Sequence, residues 1–182
     1  MNSIRKLEGP ILASRKKTNY LVVFLHGWGS DGNDLIQIAH LWNNQLNDLT
    51  FLAPHGPEVC TGNPAGKQWF DILNNDESTI IEGLNKAYLD LMVYINFHLK
   101  KYQLSKNNFF LVGFSQGTML SLYIALKEKF LGVVGYSGAF IGKVDTKPIL
   151  KNDVLLLHGK NDQVVPIDRM YNALNILKPL VN

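Results

Sequence analysis

The sequence of 182 residues has little of what marks secreted, repetitive or disordered proteins. Its single cysteine, Cys60, excludes an intrachain disulfide, and nothing in the sequence requires an oxidising compartment. It has no internal repeat, no low-complexity tract and no linker rich in proline or serine. The apolar share of 46% is that of a globular protein, which at this length should bury about 70% of its unfolded surface. These features predict one domain over residues 1–182.

An excess of charge of one sign is also lacking. The 18 lysine and arginine residues face 15 aspartate and glutamate residues, and the densest basic groups are residues 15–17 and 100–101. Such a small and dispersed excess argues against a nucleic-acid partner. The N-terminal region is charged before its first apolar run, residues 21–25, which is too short for a signal-peptide core. We therefore expect a cytoplasmic protein.

Long hydrophobic runs are almost absent. Residues 109–126 carry no charge, but Gly113, Ser115, Gln116 and Gly117 interrupt them. A strand, a sharp turn and a buried helix explain this composition better than a membrane span does. We expect no integral membrane segment.

Short runs of Val, Leu, Ile and Phe alternate with longer segments of helical period. This alternation is typical of βαβ units that build a parallel sheet, and the nearly continuous apolar strands favour coverage on both faces. The predicted strands are residues 20–25, 50–53, 109–112, 132–136 and 154–157. The predicted helices are residues 34–45, 76–100, 116–129 and 167–177. Residues 54–75 contain several prolines and glycines without a clear period, which predicts a long loop.

A G-x-S-x-G sequence, Gly113-Phe114-Ser115-Gln116-Gly117, lies between a predicted strand and a predicted helix. In this setting it predicts a nucleophile elbow, a turn so tight that side chains at the two glycine positions would collide with it. The Ser115 hydroxyl would project above the sheet, and the amide of Gln116 would point towards an oxyanion. The alternative interpretation is a glycine-rich turn of purely structural use.

Two further loops follow predicted strands. The loop His26-Gly27-Trp28-Gly29 follows the first of them, where the Trp28 amide is well placed to supply a second oxyanion donor. Asp162 follows the last predicted strand and lies after Ser115 in the chain, as the order Ser, Asp, His of a catalytic triad requires. Alone, each loop would be interpreted as turn chemistry. Together with the elbow, they predict an acyl-transfer site.

Six segments in this order resemble the phospholipase/carboxylesterase family of α/β-hydrolases, which includes the acyl-protein thioesterases: LHGWGSDGNDL, LAPHGPE, QWFD, GFSQG, YSGAF and LLHGKNDQVVP. The resemblance covers most of the chain. It implies an α/β-hydrolase fold, a mostly parallel sheet with helices on both faces, and a serine hydrolase that needs no metal or cofactor. Ser115 matches the nucleophile of the family, Asp162 its acid, and the amides of Trp28 and Gln116 its oxyanion hole.

The same resemblance implies small-molecule or acyl-protein esters and thioesters as substrates. It places Trp69 and Phe70 on the long loop near the acyl site, although a role as core aromatics is an equal alternative. An apolar rim formed by Trp28, Leu73 and Met119 could hold an acyl chain, whose length the sequence does not define.

The sequence departs from the family at the catalytic histidine. The resemblance implies a histidine well downstream of the acid, but no histidine follows His158. The five histidines present are poor substitutes, and His26 is the first candidate because its strand is expected to neighbour that of Ser115.

We therefore expect an incomplete domain that lacks the last strand and the closing helix. Its uncovered sheet edge could pair with a second copy to form a homodimer. Three explanations stay open: a fragment of a longer enzyme, a naturally truncated gene product, or an inactive relative that binds acyl groups or a protein.

Overall fold

The computed structural model describes residues 3–43, 45–73, 76–142 and 151–181. The strands are β1 (Ile11–Leu12), β2 (Tyr20–Leu25), β3 (Leu49–Leu52), β4 (Glu58–Val59), β5 (Lys67–Gln68), β6 (Phe109–Phe114), β7 (Gly132–Tyr136) and β8 (Asp153–Leu157). The α-helices are α1 (Gly32–Trp42), α2 (Glu77–Lys101), α3 (Gln116–Ala125) and α4 (Asp168–Leu177). A short 3₁₀-helix, Lys106–Asn108, precedes β6.

Six strands form one sheet in the order β1-β3-β2-β6-β7-β8. All neighbours in it are parallel except β1, which pairs antiparallel with β3 at one edge. Helices lie on both faces, as the sequence predicts. Within the described ranges, no helix combines the length and apolar character that crossing a membrane requires.

All five predicted strands and all four predicted helices are present, with unchanged bounds for β2 and β7 and shifted ends for the others. Helix α1 begins two residues earlier than predicted because the Asp31 carboxylate accepts a hydrogen bond from the amide of Asn33 at 2.7 Å. Helix α3 ends at Ala125 instead of residue 129. There the buried side chain of Asn152 donates to the carbonyl oxygens of Ala125 and Glu128, at 2.6 and 2.8 Å, and so closes the helix end.

Three short strands and the 3₁₀-helix were not predicted. Strand β1 has two residues, and β4 and β5 form a two-stranded hairpin inside the predicted loop of residues 54–75. Strands of two residues are too short to show a hydrophobic period, so the sequence pattern does not reveal them.

Two apolar cores lie on opposite faces of the sheet. Helices α2, α3 and α4 cover one face over most of its width, whereas α1 covers the other face only around β2 and β3. On the α1 side, six residues therefore form a half-buried to exposed apolar surface, called here the open face: Phe110, Phe114, Val134, Tyr136, Leu155 and Leu157. Leu155 is 54% exposed and Leu157 is 40% exposed. The prediction that both faces of every strand are covered is thus wrong for β8, because α1 does not extend that far.

Candidate active site

Ser115 lies at the junction of β6 and α3, with φ 51° and ψ −112°. The positive φ is costly for a residue with a side chain. The two glycines of the motif make the turn possible: a Cβ on Gly113 would lie 2.5 Å from the amide nitrogen of Thr118, and a Cβ on Gly117 would overlap the carbonyl oxygen of Leu25. The tight turn at Ser115 therefore has the geometry that the G-x-S-x-G spacing predicts.

Two backbone amides lie beside Ser115. The first belongs to Gln116, the first residue of α3, which has no partner inside its helix. The second belongs to Trp28 in the loop that follows β2. A Cβ on Gly27 would lie only 3.4 Å from the Cβ of Ser115, so this loop passes close to the serine. Among the described residues, no acceptor is bonded to the Trp28 amide, and an oxyanion hole needs such uncommitted donors.

The side chain of Gln116 fixes the long loop. It is fully buried, its Oε1 accepts from the amide of Trp69 at 2.9 Å, and its Nε2 donates to the carbonyl oxygen of Phe70 at 2.7 Å. Trp69 and Phe70 expose no surface and belong to the core. Without exposed surface neither ring can touch a substrate here, so the structure favours the core-aromatic alternative for both.

The three side chains predicted to form an apolar rim, Trp28, Leu73 and Met119, all have exposed surface. Trp28 is half-buried, and its indole nitrogen donates to Gln68 Oε1 at 3.0 Å. Leu73 is 57% exposed and Met119 is half-buried. Phe114 directly precedes the serine and is 47% exposed, but it was not included in the rim predicted from the sequence. Its position two residues after the buried Val112 could have placed it on the same face of β6.

Asp162 lies in the loop after β8, at the same sheet edge as Ser115. Its Oδ1 accepts hydrogen bonds from the amides of Val164 and Val165, both at 2.9 Å. These two amides, Val165 first, hold the pKa of Asp162 below its usual range, so the carboxylate is ionised at neutral pH. His158 Nε2 lies 3.7 Å from Asp162 Oδ2 and 2.7 Å from the carbonyl oxygen of Val165.

In the described part of the chain, no hydrogen bond joins Ser115 to a histidine. His26 cannot serve as the base, because its Nδ1 donates to the carbonyl oxygen of Gly27 at 2.8 Å and its Nε2 accepts from the amide of Gly56 at 2.7 Å. His158 is bound to Val165, and His98 is buried beside Tyr94 on α2. The same ranges contain no group of three or more His, Cys, Asp or Glu residues arranged to hold a metal ion.

Comparison with known proteins extends this picture. Residues 8–182 match the sequence profile of the family described as phospholipase/carboxylesterase. The acyl-protein thioesterase 1 of Gibberella zeae is 26% identical over 179 residues, which cover 87% of this chain and 76% of that protein. The acyl-protein thioesterase 1 of Schizosaccharomyces pombe is 27% identical over 180 residues, with coverage of 88% and 76%.

Solved structures agree with these sequence matches. The crystal structure of esterase PE8 superimposes with a TM-score of 0.89 at 35% identity and covers 97% of this chain and 87% of that chain. The carboxylesterase of Bacillus cereus superimposes with a TM-score of 0.81 at 16% identity, covering 97% and 82%, and shows the fold alone. The predicted α/β-hydrolase fold is confirmed.

Proposed function

Because the chain belongs to the phospholipase/carboxylesterase family, we propose that it is built to hydrolyse carboxylic esters or acyl-protein thioesters through a covalent acyl-enzyme on Ser115. The observation that carries the proposal is the backbone of Ser115, which has φ 51° at a strand-to-helix turn. Strain of this kind persists only where surrounding structure enforces it, and it concentrates at functional sites. In the proposed site, this backbone would present the Ser115 hydroxyl next to the amides of Trp28 and Gln116.

The reaction begins when Ser115 Oγ attacks the carbonyl carbon of the ester. The negative charge that develops on the carbonyl oxygen rests on the amides of Trp28 and Gln116, and the bond to the leaving alcohol or thiol then breaks. The serine proton passes through a base to the leaving group. Water repeats the sequence, releases the acid and restores Ser115. The ionised Asp162 is the group that would orient the base and stabilise its protonated form.

No residue has been assigned as the general base that accepts the proton of Ser115. The histidines of this sequence are bonded elsewhere or lie away from Ser115, so we propose that efficient catalysis needs a histidine from outside the 182 residues. Without it, hydroxide or buffer must take the proton. In subtilisin, loss of a triad member costs about 10⁴ to 10⁶ in kcat. We expect a rate reduced on this scale for the chain by itself.

Apolar surface near the serine supports an acyl substrate. Leu73 and Phe114 are exposed, and Trp28 and Met119 are half-buried. Burial of a CH₂ group contributes about 0.8 kcal/mol. An acyl chain of a few carbons lying on this rim would therefore bind measurably better than an acetyl group. Esters that differ in acyl-chain length can test this expectation.

The second candidate function is an inactive module that binds acyl groups or a protein. It is favoured by one observation, the lack of a hydrogen bond between Ser115 and any histidine of the described residues. The rim and the open face would supply the binding surface in this case.

One experiment separates the two candidates. The purified chain and Ser115→Ala are incubated with a fluorophosphonate and with a series of p-nitrophenyl esters. We expect slow labelling at Ser115 alone, located by peptide mass spectrometry, and ester hydrolysis above that of Ser115→Ala. Folded protein that is neither labelled nor faster than Ser115→Ala, even with a downstream histidine restored, would contradict the esterase and favour the binding module.

A further inference from the structure

The two carbonyl oxygens that precede the Trp28 amide are both held by buried side chains. The carbonyl oxygen of His26 accepts from the indole nitrogen of Trp69 at 2.9 Å. The carbonyl oxygen of Gly27 accepts from His26 Nδ1 at 2.8 Å and from the amide of Ser30 at 3.2 Å. The backbone just before the proposed second oxyanion donor is therefore fixed by the distant Trp69, by the neighbouring His26 ring and by the amide of Ser30 within the turn.

The direction of the Trp28 N–H follows from the direction of the Gly27 carbonyl. In a trans peptide the C=O and N–H bonds point to opposite sides, and the described part of the chain has no cis peptide bond. Hydrogen bonds that fix the Gly27 oxygen therefore also fix the direction of the Trp28 N–H. Gly27 has no side chain, so the restraint on this peptide comes from the His26 ring and from the amide of Ser30.

The tautomer of His26 is set by its second contact. Its Nε2 lies 2.7 Å from the amide nitrogen of Gly56, which can only donate, so Nε2 is an unprotonated acceptor. The proton of the neutral ring must then be on Nδ1, where it faces the Gly27 oxygen. His26 is fully buried, and its ring lies 5.1 Å from the ring of Trp69. Burial lowers its pKa and keeps the ring neutral at physiological pH.

We propose that His26 is a positioning residue for acyl transfer: its neutral imidazole links Gly56 to Gly27 and holds the Trp28 N–H in the oxyanion hole. The inference rests on the proposed function, since an oxyanion forms only if Ser115 attacks a carbonyl. Donors that are fixed in advance need no reorganisation during the reaction. The role differs from that of a base, because His26 moves no proton.

Two variants separate the hydrogen bond of His26 Nδ1 to Gly27 from that of Nε2 to Gly56. His26→Asn places an amide nitrogen near the position of Nδ1 and so keeps a donor for Gly27, but it cannot reach Gly56. His26→Gln places an amide oxygen near the position of Nε2 and so keeps an acceptor for Gly56, but it removes the side-chain donor and leaves the Gly27 oxygen with the Ser30 amide alone. Each variant loses one buried hydrogen bond, which makes them matched controls for stability.

The rate at which a fluorophosphonate labels Ser115, together with kcat and KM for a p-nitrophenyl ester, measures the effect. Loss of one oxyanion donor costs about 10² to 10³ in kcat, so a donor that is only misdirected should cost about 10- to 100-fold. We expect His26→Gln to lose this factor in kcat with little change in KM, and His26→Asn to react about tenfold faster than His26→Gln. Urea denaturation of both variants checks that the difference does not follow stability.

An imidazole ¹⁵N–¹H NMR spectrum tests the hydrogen bonds without turnover. We expect a protonated Nδ1 and a bare Nε2 on His26. The opposite tautomer would overturn the proposal, and so would equal reactivity of the two variants beside a reactive wild type. If wild-type Ser115 does not react at all, the esterase function fails separately, and the spectrum still decides whether His26 holds the Gly27 carbonyl.

Discussion

Ser115 and Ser137 occupy equivalent positions at the ends of two neighbouring strands. Both have a positive φ, 51° and 45°, and each amide donates at 2.9 Å to the last residue of the next strand, Tyr136 for Ser115 and Leu157 for Ser137. The amides of Val165 and Val164 hold the pKa of Asp162 low, and the Ser137 side chain adds to this effect. The same backbone arrangement is thus repeated along the sheet edge, from Ser115 towards Asp162.

The close approach of α3 to β2 predicts a strong effect of Gly117→Ala. The new Cβ would overlap the Leu25 carbonyl oxygen, which is backbone and cannot rotate away. We expect a loss of about 1–3 kcal/mol or more in the free energy of unfolding, as for overpacking elsewhere. Urea denaturation measures it. Gly159→Ala is the matched control, because its Cβ would meet nothing closer than 3.9 Å. Equal stability of the two variants would contradict the tight contact.

The buried Gln116 side chain predicts a second loss of stability. Gln116→Ala would leave the Trp69 amide and the Phe70 carbonyl without partners inside the core. An unsatisfied buried group costs about 1–3 kcal/mol, so we expect the two groups together to cost about 2–6 kcal/mol. Gln163→Ala, at an exposed position, should change stability by less than about 0.5 kcal/mol. If both variants unfold at the same urea concentration, Gln116 does not fix the loop.

The buried neutral His26 predicts that stability falls in mild acid. Burial lowers its pKa in the folded state, although the hydrogen bond to Gly27 and the nearby Asp31 and Asp34 act in the opposite direction. Between this lowered pKa and the unfolded value of about 6.5, the unfolded chain binds more protons, so stability decreases as the pH falls. His26→Gln should show a flatter dependence of unfolding free energy on pH from 7.5 to 5. A slope as steep as that of the wild type would show that His26 is not responsible.

The open face predicts self-association through the edge strand β8. An exposed apolar edge offers unpaired backbone and side chains to a second copy. We expect light scattering at tens of micromolar to give a mass above the 20.5 kDa of the monomer. Leu155→Lys, in the centre of the face, should restore the monomer mass. Val164→Lys introduces the same charge at an 88% exposed site outside the face and should not. A purely monomeric wild type would exclude the homodimer.

Local patterns predicted the elements that carry the site. The apolar runs of β2 and β7 gave their exact bounds, and the glycine spacing around Ser115 predicted its turn. Contacts between distant residues decided what the patterns did not reveal. Asn152 ends α3 from far along the chain, and Gln116 draws Trp69 into the core. The helical period does not predict where Asn152 ends α3, and the apolar character of Trp69 does not predict its hydrogen bond to Gln116.

The roles of the histidines also depended on distant contacts. From the sequence, His26 looked like the best available base because its strand neighbours that of the nucleophile, and β2 does pair with β6. The neighbouring strands were predicted correctly, but both ring nitrogens of His26 already have hydrogen-bond partners. Nδ1 is bonded to Gly27, and Nε2 is bonded to Gly56, thirty positions away in the chain.

The strand order has a consequence for how the chain folds during synthesis. From β2 outward on one side, the strands β6, β7 and β8 appear in space in the same order as in the sequence. Each strand of this series therefore leaves the ribosome after the strand with which it pairs. The segment that forms the elbow at the end of β6 is likewise synthesised before the loop that carries Asp162.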